Sequence, residues 1–192
     1  HLIALFIFAV IFFMLYYLIS TAFEEVGFKW WEASLIVFSS IIFSEVNIPL
    51  FYYHNWDIRI NVGGAVLPVI ISIYLIFSRK IAWRSIVGIP IVAYVAYAVT
   101  DVGSEGISAI FPYWLLPPMA ASFYSLLVGY KSKKKAASIA YISGTIGVLI
   151  GADLLHLEKL LSKNIPRYTM ASIGGAAILD MVFLTGIIAV LI

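Results

Sequence analysis

Apolar residues run along this chain in long stretches, and the charged ones gather in short clusters between them. A helix crossing a hydrocarbon core ~30 Å thick needs about 20 apolar residues. Seven stretches meet or approach that length. The first is residues 1–23. Its charge-free part is longer than a signal-peptide core and no small-residue cleavage site follows, so it is read as a spanning helix. The second, 31–53, is interrupted by Glu45 and by Asn47-Ile48-Pro49. The third, 60–78, contains no charge, and the fourth, 85–100, is closed by Asp101. The fifth lies within 106–130 and carries Pro112, Pro117 and Pro118. The sixth, 136–157, holds Asp153 near its end, and the seventh, 172–192, holds Asp180 near its middle.

The clusters between these stretches orient the chain. Arg79, Lys80 and Arg84 separate the third and fourth, and Lys131, Lys133, Lys134 and Lys135 separate the fifth and sixth. With seven spans both clusters fall on one side, which the positive-inside rule makes cytoplasmic. The acidic segment from Asp101 to Glu105 then lies outside, with the N-terminus outside and the C-terminus inside. Residues 158–167 carry net positive charge but fall outside, which suits a short amphipathic helix along the interface. Trp30, Trp31, Tyr52, Tyr53, Trp56, Trp83, Tyr113, Trp114 and Tyr130 cluster near predicted helix ends, where amphipathic rings favour the headgroup zone.

Composition strengthens this picture. Of 192 residues 63% are hydrophobic and 11% charged, against about 25% charged in a soluble domain. Residues 1–192 are read as one all-α integral membrane domain, a bundle of about seven transmembrane helices, some kinked or broken at Gly and Pro. The expected place is the cell membrane. Expected partners are the lipid bilayer, further copies of the chain in a homo-oligomer, and a small ion or solute. The net charge of +2 gives no reason to expect nucleic acid, and without cysteine there are no disulfides or thiolate sites. No cofactor or metal is expected. No phosphate-cradling loop or Gly-x-Ser-x-Gly elbow occurs.

Two segments resemble each other: Asn61-Val-Gly-Gly-Ala65 and Ser172-Ile-Gly-Gly-Ala176 each open an expected helix running inward, as a parallel repeat would. Three longer stretches, Asn61-Val-Gly-Gly-Ala-Val-Leu-Pro68, Tyr141-Ile-Ser-Gly-Thr-Ile-Gly-Val-Leu-Ile-Gly-Ala-Asp-Leu-Leu155, and Ser172-Ile-Gly-Gly-Ala-Ala-Ile-Leu-Asp180 with Phe183-Leu-Thr-Gly-Ile-Ile-Ala-Val190, together resemble the prokaryotic membrane family called domain of unknown function 1614. The resemblance covers most of the chain from the second stretch onward. It implies a multi-pass membrane protein, brings no settled activity, and marks Asp153 and Asp180 as recurrent features.

Carboxylates inside a bilayer cost at least ~2.5 kcal/mol on insertion scales and usually face the bundle interior. Asp180, roughly 14 Å into its expected helix, falls near the midplane with no Lys or Arg within a turn. The alternative is an Asp that hydrogen-bonds a neighbouring helix and fixes packing. Asp153 follows Gly151 on a helix where Ser143, Gly147 and Gly151 form a small-residue stripe, suited to close packing. His156 shares its face; the pair can relay protons, or His156 can simply meet headgroups. Glu45 stands beside the Pro49 break, where freed backbone can line a cavity. Asn61, Gly63 and Gly64, like Gly174 and Gly175, sit at expected helix starts, where unpaired N–H groups can meet an anion or simply be capped.

Three functions compete. Transport or conduction coupled to protons or cations leads, with Asp180, Asp153, His156, Glu45, Asn61 and the glycines as pathway. An intramembrane aspartic protease would use Asp153 and Asp180 as a carboxylate pair. Ile150-Gly-Ala-Asp153 is similar to the Gly-x-Gly-Asp motif of presenilin-like and prepilin peptidases, but Ala152 stands where the second glycine belongs and no Pro-Ala-Leu motif occurs. Counting along ideal helices also separates the two aspartates in depth by roughly 8–10 Å, a gap that unwinding of residues 172–176 would remove. A non-catalytic scaffold is the third.

Overall fold

A computed structural model describes residues 2–103, 106–110 and 112–192. His1 and Glu105, which the sequence reading assigned to the first helix and the outer acidic loop, lie outside them.

The chain is mostly helical. Helices α1 (Leu2–Val26), α2 (Trp30–Ile42), α3 (Leu67–Arg79), α4 (Ala82–Val99), α5 (Leu116–Gly129), α6 (Lys133–Val148) and α8 (Met181–Leu191) form the bundle, and α7 (Leu157–Leu161) is a single short turn beyond α6. Among the described residues, four continuous helical segments are long and apolar enough to cross a membrane: Leu2–Val26, Val62–Arg79, Ala82–Val99 and Lys133–Leu161. Of the about seven helices expected, α2, α5 and α8 have only 13, 14 and 11 residues. Strands and turns take up what was expected to be helix.

The cause is local. The residue before a proline is pushed out of the α region and Pro49 donates no hydrogen bond, so after α2 the chain makes one 3₁₀ turn (Phe43–Glu45) and enters strand β1 (Asn47–Tyr53). A bulge at Pro49 breaks the register of β1 with β2 (Trp56–Asn61), as expected for a proline on an edge strand. β2 also pairs in parallel with β5 (Thr169–Ile173), Ile60 opposite Ile173, giving the order β1-β2-β5. Trp56 and Ile58 are buried against Val102, Leu160 and Ile165 beneath the sheet. A small antiparallel ribbon, β3 (Thr100–Val102) and β4 (Ile107–Ala109), flanks it.

The two Gly-Gly segments therefore follow adjacent parallel strands. Asn61 caps a π-turn (Val62–Val66) leading into α3, its Oδ1 accepting from Gly64 N at 2.8 Å. Gly174, at φ +71°, turns the chain out of β5 against the backbone of Ala65 and Gly64.

α6 is the central helix, buried without interruption from Ala136 to Thr145 and touched by α1, α3, α4, α5 and α8. Its small residues permit this: Gly144 abuts Thr185 and Gly147 abuts Val92. Basic residues gather at one end of the bundle. There Arg79 donates to the Val26 and Gly27 carbonyls at 3.2 and 3.3 Å, Lys133 pairs with Glu25 at 2.9 Å, and Tyr124 donates to the Arg84 carbonyl. The sheet, the ribbon and α7 close the other end. The outer surface carries large apolar side chains, among them Leu2, Phe6, Phe77, Trp83, Tyr94 and Phe123.

A candidate active site at a cavity lined by two aspartates

Asp153 lies at the sheet end of α6, where the helix widens into a π-turn (Leu149–Leu154). Such turns interrupt the regular ladder and are frequent at functional sites. Gly151 fixes the widening from outside: its Cα faces the Ala93 backbone, with no room for a Cβ. His156 fixes it from the C-terminal side. Its Nδ1 lies 3.0 Å from the Ala152 carbonyl, 3.2 Å from the Gly151 carbonyl and 3.3 Å from Thr100 Oγ1. Thr100 gives its own hydrogen to the Ala96 carbonyl at 2.8 Å, so all three neighbours offer lone pairs and Nδ1 carries the proton. The Tyr97 ring stacks on the imidazole, centroids 4.5 Å apart.

Asp180 does not sit in mid-helix. Residues 172–176, expected to start a helix, form the end of β5 and a turn, and a 3₁₀ turn (Ala177–Leu179) follows. Asp180 is then the N-cap of α8, Oδ1 accepting from Val182 N at 2.9 Å and Oδ2 from Ala176 N at 3.3 Å.

This unwinding places Asp180 at the start of α8 and not within it. Asp153 and Asp180 line one cavity of about 180 Å³, bounded by Gly106 and Ile107, by Leu157 and Leu160 of α7, and by residues 170–173 of β5. The two carboxylates differ in surroundings: Asp180 receives two N–H donors, whereas Asp153 Oδ2 is buried with no partner among the described residues.

The other sequence candidates do not line this cavity. Asn61 is fully buried and tied by its Nδ2 to the Ser44 carbonyl at 2.6 Å and Asn47 Oδ1 at 3.1 Å. Gly63 packs on the Ser40 carbonyl and Gly64 on Gly174, while Gly175 turns over the Ser172 carbonyl. Glu45 is exposed at the end of its 3₁₀ turn. Sequence reasoning missed Thr100, Tyr97 and all of β5, since nothing in a run of apolar residues announces a strand.

Around the sheet stand two ion pairs whose aspartates lie outside the helical spans. Asp57 is buried and meets Arg59 at 2.7 Å and the Tyr168 hydroxyl; the Arg59 hydrogen bond is the main reason its carboxyl stays below the usual range. Asp101 meets Lys159 at 2.5 Å, and that contact likewise holds its carboxyl low.

Fold and site define a class: a mostly helical chain with helices apolar enough to cross a membrane and an aspartate pair in a cavity under a small sheet. The chain belongs to the family described as protein of unknown function (DUF1614), whose sequence profile matches residues 34–192. That span takes in both aspartates, both Gly-Gly segments and the whole sheet. No curated protein and no solved structure matches the chain.

Proposed function

We propose that this protein is a multi-pass membrane hydrolase that cleaves peptide bonds with Asp153 and Asp180. The observation that carries the reading is the shared cavity: two carboxylates from different elements open on one small space. Two acids that share one proton can activate water. Asp180, held by two N–H donors, is arranged as the anion that takes a proton from water. Asp153, with a buried oxygen lacking a donor, is arranged to hold the shared proton. Water oxygen bonds to the carbonyl carbon as its proton passes to Asp180. The C–N bond then breaks as Asp153 gives its proton to the departing amine.

The protein is read as lying in the cell membrane with the basic end of the bundle cytoplasmic and the sheet end outside, so the N-terminus is outside and the C-terminus inside. The short α2, α5 and α8 complete their passage against the longer helices.

A second reading, proton- or cation-coupled transport, draws on a different feature. Tyr141, Ser143 and Thr145 of α6 and Ser85 of α4 carry buried hydroxyls without partners among the described residues, polar groups that a translocated cation would use. Against it, α6 and α8 touch directly, Gly186 against Thr145 and Tyr141.

The test is the purified chain in lipid vesicles, incubated in ¹⁸O-water with apolar decapeptides and read by mass spectrometry, alongside a pH-sensitive dye inside the vesicles. Peptide fragments carrying ¹⁸O at the new carboxyl group support hydrolysis. Intact peptides with sustained proton flux favour transport and overturn it.

A further inference from the structure

Side chains alternate between the two faces of a strand. A cavity touching one face of β5 would therefore be lined by every second residue. Here Met170, Ala171, Ser172 and Ile173 all line it, so the cavity runs along the edge of the strand. Among the described residues that edge carries no neighbouring strand: in the order β1-β2-β5, β5 is outermost. The parallel register tells which groups it offers. Thr169 N donates to the Asn55 carbonyl at 2.9 Å, so residues 169, 171 and 173 turn their amides toward β2. The amides of Met170 and Ser172 turn away from it. Gly175 N donates to the Ser172 carbonyl at 3.0 Å. The Met170 amide and carbonyl and the Ser172 amide remain on the open side.

We propose that the open edge of β5 seats an extended segment of a peptide substrate, which adds to the sheet as a further strand. The inference rests on the hydrolase reading for its occupant. Strand addition holds a substrate by its main chain, which every peptide shares, and leaves alternate side chains for selection. It also straightens the segment: a carbonyl in an extended chain stands clear of helical hydrogen bonding and is open to water. A strand placed there lies in the cavity both aspartates line, beside the buried, unpartnered Asp153 Oδ2. Helical substrate segments must therefore unwind before cleavage.

The experiment uses the full chain in lipid nanodiscs as the Asp153→Asn, Asp180→Asn double variant, so that binding is read without turnover. The probes are an apolar decapeptide, the same peptide N-methylated on the alternate amides of one edge, and a third methylated on every amide. The first two are expected to bind within threefold of each other, since each retains one edge able to pair. The third is expected to bind at least tenfold more weakly. Hydrogen exchange at the Met170 amide should slow when the first peptide is bound. Met170→Pro, which removes an outward donor but no bond to β2, should weaken the first peptide to the level of the third. Equal binding of all three peptides, or no slowing at Met170, would overturn the proposal. Edge-dependent binding to a chain that cleaves nothing would keep the site and discard the hydrolase. Cleavage by the unaltered chain with edge-independent binding would do the reverse.

Discussion

Asp153 and Asp180 line the same cavity because one ends the buried part of α6 and the other begins α8, and those two helix ends lie together at the sheet end of the bundle. Neither aspartate needs to reach across the bundle. The chain departs from regular helix on both sides of the cavity: a π-turn at Asp153, and a strand, a turn and a 3₁₀ turn before Asp180.

The π-turn depends on His156. His156→Ala would leave the Gly151 and Ala152 carbonyls without that donor. Each buried group left unpaired costs about 1–3 kcal/mol. A lower unfolding temperature in detergent micelles is expected, with a larger loss of peptide cleavage than of peptide binding, because Asp153 is displaced. Unaltered stability and cleavage would remove His156 from this role.

Close packing of α6 on α4 supplies the second support. A methyl group on Gly151 would run into the Ala93 backbone, which cannot give way as a flexible side chain can. Overpacking of this kind costs about 1–3 kcal/mol. Gly151→Ala is expected to unfold at lower temperature than Gly144→Ala, whose Cβ would meet Thr185 at the milder distance of 3.1 Å. Equal melting of the two variants would show that the α4–α6 crossing is looser than described.

Much of this was legible in the sequence. α4 and the long segment through α6 were expected within a few residues of where they lie, since unbroken apolar and small residues there admit no other reading. The sheet was not. Residues such as Ile48, Leu50, Phe51, Ile58 and Ile60 are as apolar as any helix, and periodicity cannot separate a short buried strand from a piece of helix. Pro49 was read as a kink, whereas it ends the helix altogether. The same holds at the site: a strand and turns stand where counting from Ser172 assumes helix, so Asp180 caps α8 and does not lie in mid-helix. Asp153 and Asp180 stand out as candidates all the same, because carboxylates are conspicuous against an apolar background, and both line the cavity at the sheet end.

Acid should loosen the sheet end first. Asp57 and Asp101 titrate below the ordinary aspartate value of 3.8 in the folded chain. A group lowered on folding contributes stability above its unfolded pKa and loses it as pH falls through the folded one. Stability is expected to be insensitive to these two groups above about pH 5 and to fall below pH 4. Asp57→Asn should flatten that acid limb in thermal melts followed by circular dichroism. An acid limb identical in the variant would remove the Asp57–Arg59 pair from the account.

Orientation is open to chemical labelling, because the chain has no cysteine of its own. Lys131→Cys and Asn164→Cys mark the basic end and the sheet end. A membrane-impermeant maleimide applied to intact cells is expected to label position 164 and spare 131. Labelling of both from outside, or of 131 alone, would contradict the assigned topology.

The central claim is that the two aspartates act as one catalytic unit. Residues acting as a unit lose activity together and not in proportion. The most direct measurement is the cleavage rate of an apolar decapeptide by the reconstituted chain and by Asp153→Asn, Asp180→Asn and the double variant. The account predicts that each single change lowers the rate by at least about a thousandfold and that the double change lowers it no further. Cleavage persisting in either single variant, or losses that multiply in the double one, would contradict it.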